Sequence, residues 1–221
     1  MGQIGNETPT DIFQPPDFTV TGIKPFKQAV VDGNWIGAVN VWVVRKTKNG
    51  LEVLYQARPD DSYYGAGKLD VSVGGYYEAG EYESGNHFRE FQEELGVDID
   101  LKNTYRVTRR LVSLVNQHTG RERRIVLDVY LSELDLKLTD LSPDPEEVAG
   151  LAWISLVDLL RLHRKEIEKL EIKGITGDKV ATQYTVTRES FPPNFDDYHY
   201  AMTQQIYAWS VGALTFPVVT P

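Results

Sequence analysis

Between Gly75 and Val97 the chain reads GYYEAGEYESGNHFREFQEELGV, and three of its acids, Glu90, Glu93 and Glu94, are spaced to act together. Ser84 stands where an N-cap belongs and Gly96 where a C′ residue belongs, which predicts a helix from Gly85 to Leu95. At about 100° per residue the three glutamates fall within an arc of roughly 100° on one helix face. Phe88, Phe91 and Leu95 fall near the opposite side, so one face can be buried while the other presents clustered negative charge. Crowded carboxylates raise one another's pKa unless a cation sits among them. All-oxygen donors suit a hard ion, Mg2+ or Mn2+, shared with the phosphates of a substrate. Such an ion polarises a phosphoryl oxygen and lowers the pKa of a bound water, as attack on a diphosphate requires. Gly74 and Gly75 allow the sharp backbone turn that brings a carbonyl near the metal. Arg89 can reach back to Glu81 in a charge-assisted pair that ties loop to helix. An acidic helix face alone is ordinary on a soluble protein; the register of Gly75, Glu81, Arg89 and Gly96 with the three acids argues for chemistry.

The bulk composition narrows the setting. A chain of 221 residues holds one domain with appendages or two small ones, with 41% hydrophobic and 25% charged residues, as in soluble globular proteins. The net charge of −9 disfavours nucleic acid and anionic membranes as partners and leaves metal ions to recruit a phosphorylated small molecule. The absence of cysteine removes disulfides, thiolate nucleophiles and thiolate metal sites, and is compatible with the cytoplasm. No apolar run approaches the length of a membrane span, and the first residues do not form a secretory signal.

The elements that must position the acids follow in order. Residues 1–26 read as a polar arm lacking its own core, either disordered or laid across a partner. Ile36 to Arg45 is a β-branched strand, Lys48-Asn49-Gly50 a hairpin turn, and Leu51 to Ala57 its return strand. Arg58 to Lys68 is a loop carrying Tyr63 and Tyr64, and Leu69 to Gly74 is a strand entering the acidic segment. Tyr105 to Val115 and Arg124 to Leu131 are two more strands, joined by a polar loop with Asn116, Gln117, His118, Thr119 and Gly120. After an acidic loop from Leu141 to Glu147 comes a short strand, Leu151 to Ile154. Ser155 caps a helix expected to run to about Ile172, with Leu156, Leu159, Leu160, Ile167 and Leu170 on its apolar stripe and Gly174 stopping it. Residues 173–221 form an extension with a strand near Gln183 to Thr187 and a helix over Asp197 to Val211. That helix is expected to cover the core or form a dimer contact, with walling off substrate as the less favoured role.

Written as spacing, the acidic stretch is G-x5-E-x7-R-E-U-x-E-E-x-G-U, with Phe91 and Val97 at the bulky apolar positions U. It resembles the Nudix box of hydrolases that cleave nucleoside diphosphates linked to another group. The resemblance implies an α+β fold, the Nudix α/β/α sandwich with a mixed β-sheet, over residues 27–172. It further implies that Glu90, Glu93 and Glu94 hold Mg2+ (or Mn2+) with the Gly75 carbonyl, and that Glu81 and Arg89 brace loop and helix. Glu90 itself, or Glu146 or Glu147, would activate the water; Glu122 and Asp128 carry no special signal. Arg58 and Tyr76 are the candidate substrate-binding residues, and Tyr63, Tyr64, Tyr76 and Tyr77 are candidates to stack a base or shape the pocket. None of His87, His118, His163 and His199 is assigned to the metal. The flanks Asp32-Gly33-Asn34-Trp35, Ala38-Val39-Asn40-Val41-Trp42, Gln56-Ala57-Arg58 and Pro143 to Leu160 are similar to Nudix proteins near isopentenyl-diphosphate isomerase. Where those relatives often carry histidines this chain has Ile36, Asn40 and Tyr76, and it has no cysteine, so the isomerase chemistry is disfavoured. Nucleoside-diphosphate sugars, dinucleotides and oxidised nucleoside triphosphates all remain open as substrates, while a messenger-RNA cap is disfavoured by the acidic charge. A non-catalytic nucleotide-binding protein of the same fold is the alternative reading.

Overall fold

A computed structural model describes residues 4–62, 64–115, 122–193 and 197–219. Tyr63 and the Asn116 to Gly120 loop with His118 lie outside the described residues. The chain runs β1 (Pro9–Gln14), β2 (Thr19–Pro25), α1 (Phe26–Val31), β3 (Trp35–Thr47), β4 (Gly50–Ala57), β5 (Leu69–Asp70) and β6 (Val73–Tyr76). It continues through α2 (Glu81–Ser84), α3 (Arg89–Leu95), β7 (Thr104–Val115), β8 (Glu122–Glu133), β9 (Gly150–Ser155) and α4 (Leu156–His163). The last elements are β10 (Leu170–Thr176), β11 (Ala181–Val186) and α5 (Tyr198–Ser210).

The long strand β3 is the axis of a mixed sheet. It pairs in parallel with β8 from Trp35↔Arg124 to Val44↔Glu133, and antiparallel with β6 and β4. Successive side chains of a strand point to opposite faces, and β3 is apolar on both. Ile36, Ala38, Trp42 and Val44 pack in one core with Leu156 and Leu159 of α4 and Met202 and Ile206 of α5. Val39, Val41 and Val43 pack in a second core with Phe91 and Leu95 of α3. The result is the expected α/β/α sandwich. Lys48 and Asn49 form the tip of the hairpin between β3 and β4, closed by the pair Thr47↔Gly50, with Gly50 at φ +113°.

Several expectations change on the structure. Residues 9–25 are not a coreless arm: β1 and β2 form a hairpin, and β1 joins β3 through Ile12↔Ile36 and Phe13↔Trp35. Thr10, Asp11, Ile12 and Phe13 are buried there, so this polar segment gains its core from the strand it joins. The single strand expected over Leu69 to Gly74 splits in two. The Ser72 hydroxyl accepts from Val43 N–H at 2.8 Å and donates to Leu54 carbonyl at 2.6 Å, filling the gap where β3 and β4 diverge.

The helix expected to reach Ile172 stops at His163, although Ser155 caps it as foreseen by accepting from Asp158 N–H at 3.3 Å. Leu170 and Ile172 alternate with exposed residues, a period-two pattern that pairs with Val186 and Tyr184 of β11, while Gly174 to Thr176 join the edge of β9. Gly174 lies inside that strand, where an added Cβ would come within 2.5 Å of Leu151 carbonyl. The expected boundary at residue 172 therefore falls within β10, and the segment beyond it continues the sheet. Tyr198, Met202 and Ile206 of α5 are buried in the core that also holds Trp42.

Candidate active site

The acidic segment enters the site from β6. Gly74 and Gly75 pair with Asn40 and Val39 of β3. A Cβ on Gly75 would lie 2.1 Å from the Glu90 carboxyl carbon, so only glycine lets that carboxyl lie against the strand. Gly75→Ala is expected to displace Glu90 and weaken Mn2+ affinity by about tenfold or more, as loss of a positioning contact at a metal site does; titration calorimetry reads it directly.

The expected helix from Gly85 to Leu95 is broken. Gly85 takes φ +74° between α2 and a single 3-10 turn at Asn86–Phe88, and α3 begins only at Arg89. Ser84 is not the N-cap; its hydroxyl donates back to Gly80 carbonyl at 2.8 Å. Gly96 does close α3 in the left-handed region, donating to Gln92 carbonyl. A side chain there would press within 2.6 Å of Ser142 carbonyl.

Arg89 is the hub of the loop. It donates from Nε to Glu81 Oε1 at 2.6 Å, lies 3.0 Å from Glu90 Oε1 and 3.5 Å from Glu78, and pairs with Glu93. The other oxygen of Glu81 accepts from Glu78 N–H at 2.8 Å, so the buried Glu81 ties helix to loop as expected.

The carboxylates brought together are not the three named from spacing. Oxygens of Glu90, Glu94 and Glu147 all lie within 4.8 Å of one another. Glu93 is spent on Arg89 at the cleft rim, with 48% of its side chain exposed. A helical arc describes angle but not depth: Glu90 and Glu94 are buried against β6, while Glu93 points along the surface toward Arg89. Glu147 comes from the acidic loop after β8, where Glu147 and Val148 both donate to Asp144 carbonyl and Val148 is buried. Its apolar neighbour Val148 is the one sequence signal that separates it from the exposed Glu146.

Glu94 Oε2 accepts from Gly74 N–H at 2.9 Å. Burial nonetheless pushes the Glu94 carboxyl up to about 8, with Glu90 and Glu147 adding to the rise. Burial likewise raises Glu90 to about 7 against the pull of Arg89. Burial, then Glu93 and Asp144, raises Glu147. Glu147 Oε2 is buried and has no hydrogen-bond partner among the described residues. Three close oxygens, each destabilised as an anion and one lacking a donor, fit a divalent cation. The site opens into a cleft of about 370 Å3 that Tyr76, Glu78 and Asp144 also line.

Arg58 does not line that cleft. It is buried, donates to Tyr64 carbonyl at 2.8 Å and lies 3.5 Å from Asp70. Asp128 is a buried structural acid held by Arg109 at 2.8 and 2.9 Å and by the Tyr77 hydroxyl, and Glu122 pairs with Arg124 on β8. His87 packs between Tyr77 and Tyr130, and His163 and His199 stack on Phe191.

An α/β/α sandwich carrying buried glutamates on a short helix, with a glycine beneath one of them, is consistent with a carboxylate-rich divalent-metal site of the Nudix type. The NUDIX domain matches residues 36–173, and the chain belongs to that family. It is 36% identical over 149 residues to Nudix hydrolase 3 of Arabidopsis thaliana; the match covers 66% of this chain and 19% of that much longer protein. Among solved structures it is similar to DR0079 from Deinococcus radiodurans, at 21% identity and a TM-score of 0.49 over 71% of this chain and 89% of that one. A C. elegans Ap4A hydrolase matches at 13% identity and a TM-score of 0.47, over 80% and 98% of the two chains. Among the described residues, no helix is long and apolar enough to cross a membrane.

Proposed function

We propose that the chain is a divalent-metal-dependent hydrolase of a phosphoanhydride bond in a nucleoside diphosphate derivative. The observation that carries this reading is the cluster of Glu90, Glu94 and Glu147 oxygens within 4.8 Å, two of them on α3, which Arg89 ties to Glu81 of the preceding loop. Glu90 and Glu94 would hold Mg2+ or Mn2+, joined by the Gly75 carbonyl, with Glu93 completing the set only by leaving Arg89. When bound, the ion supplies Lewis-acid polarisation of the phosphoryl oxygen and neutralises charge developing on it. Glu147 is the favoured proton acceptor for the attacking water. It lines the cleft, its Oε2 lacks a donor among the described residues, and its raised pKa suits a general base. Arg89 and Glu81 keep α3 in place so that Glu90 stays in the cleft wall with Glu94 buried close to it. Of the candidate substrate residues, Tyr76 on the cleft wall is retained and Arg58 is assigned to structure.

The test is hydrolysis across a panel of nucleoside diphosphate derivatives with Mg2+, with Mn2+ and with chelator. Metal-dependent release of a nucleoside monophosphate from one compound class is the expected result. Nucleotide binding with no turnover anywhere would instead favour a non-catalytic binding protein of the same fold.

A further inference from the structure

The carboxylate cleft holds more negative charge than its own cations offset. Glu78, Glu90, Glu93, Asp144 and Glu147 line it, and among the described residues Arg89 is the one cation in its lining. That guanidinium is already shared among Glu78, Glu81, Glu90 and Glu93. A bound metal ion serves the phosphate oxygens that face the carboxylates. Oxygens of a second phosphate group then need a cation from outside the acidic cluster.

One lies beyond the cleft's neutral wall. Arg123 Nη1 donates to the Tyr76 hydroxyl at 3.3 Å, and Tyr76 itself lines the cleft. The Arg123 guanidinium carbon lies 5.5 Å from the Phe26 ring centre and 6.0 Å from that of Tyr76, so two rings hold it in place. The β7–β8 register sets Arg110 opposite Leu127 and Leu114 opposite Arg123, which puts both arginines on one sheet face. Arg110 lies 3.9 Å over the Tyr198 ring, farther along that face. Arg123 is only half-buried. It is therefore a planar cation, oriented by aromatic rings and one side chain away from the acidic cluster.

We propose that Arg123 is a specificity residue of this site, binding the substrate phosphate that does not sit among the carboxylates. The proposal rests on the hydrolase reading above and narrows it: the preferred ligand carries two adjacent phosphates, and the second is recognised by Arg123. Guanidinium suits this task because its fork matches phosphate oxygens.

The experiment compares ADP and AMP binding by calorimetry in Mg2+, for wild type, Arg123→Gln, Arg123→Lys and Tyr76→Phe. Wild type is expected to prefer ADP. Arg123→Gln should lose about ten- to a hundredfold of ADP affinity, the worth of a charge-assisted hydrogen bond, with AMP nearly unchanged. Arg123→Lys, which keeps the charge and guards against a fold defect in the glutamine variant, should lose part of the preference, and Tyr76→Phe less still. Equal weakening of ADP and AMP, or no change in either, overturns the assignment. Turnover by wild type of an ADP-linked compound is read separately. Turnover with an unaltered ADP preference in Arg123→Gln rejects Arg123 alone. Loss of that preference without wild-type turnover keeps the Arg123 site and rejects hydrolysis.

Discussion

Glu94→Gln should abolish metal-dependent turnover, by about a thousandfold or more, while making the metal-free protein more stable near pH 8. The two effects have one cause. Glu94 is 1% exposed, and burial raises its pKa to about 8. The fold therefore tolerates its anion only when a cation is nearby. Glutamine keeps the shape and can still accept from Gly74 N–H, as Glu94 Oε2 does at 2.9 Å, but it carries no charge to desolvate. Glu93→Gln is the internal comparison. Its carboxylate is half exposed and engaged by Arg89, so its loss should cost far less activity and leave stability almost unchanged. Steady-state kinetics with Mg2+, alongside denaturant melts in chelator, read both variants. Equal losses at the two positions would put Glu93 in the metal shell and reinstate the ligand set read from spacing. An active Glu94→Gln enzyme would remove the metal assignment altogether.

The contrast between Glu93 and Glu94 shows where the sequence stops being legible. Residue type and spacing sufficed for the Arg89–Glu81 brace and the Gly96 stop, because each is a local constraint between near neighbours in the chain; Gly74 and Gly75, expected to turn the backbone sharply, instead lie within β6, where Gly75 makes room for the Glu90 carboxyl. The alternation of β3 sufficed for a sheet covered on both faces. Depth was not legible: Glu90, Glu93 and Glu94 share a helical arc, but only tertiary packing decides which carboxylates are pressed against β6. Nor was Glu147 legible as a cluster member, since its approach depends on how a loop 53 residues after Glu94 docks beside α3. The same limit explains the errors at the two ends of the chain. The Ile12-Phe13 pair is too short to argue for a core until β3 offers it an edge. Leu170 and Ile172 satisfy both a helical stripe and a strand alternation, and pairing with β11, itself extending the sheet from β9, decides between them.

The pH dependence of metal stabilisation should reveal the cluster without any substrate. Glu90 and Glu94 have folded pKa values of about 7 and about 8, above the 4.5 of an unperturbed glutamate. Between pH 4.5 and those values the folded protein binds more protons than the unfolded chain. The stability these groups contribute is thus complete below pH 4.5 and is lost as pH rises toward 8. A divalent ion reverses the trend, because its ligands must be deprotonated to bind it. The shift in melting temperature on adding Mn2+ is therefore expected to be near zero at pH 5 and largest near pH 8. At a hundredfold excess over the dissociation constant it should reach about 5–10 °C for a chain of this size. Taking the difference with and without metal matters. Burial lowers the pKa of His87, and of His163 to about 4, which removes stability as pH falls below 6.5 and opposes the acids in the metal-free melt. Neither histidine is a cluster member, so their contribution cancels in the difference. A shift of equal size at pH 5 and pH 8, or one that survives in Glu94→Gln, would place the ion elsewhere on the surface and leave the buried carboxylates as a protonated structural cluster.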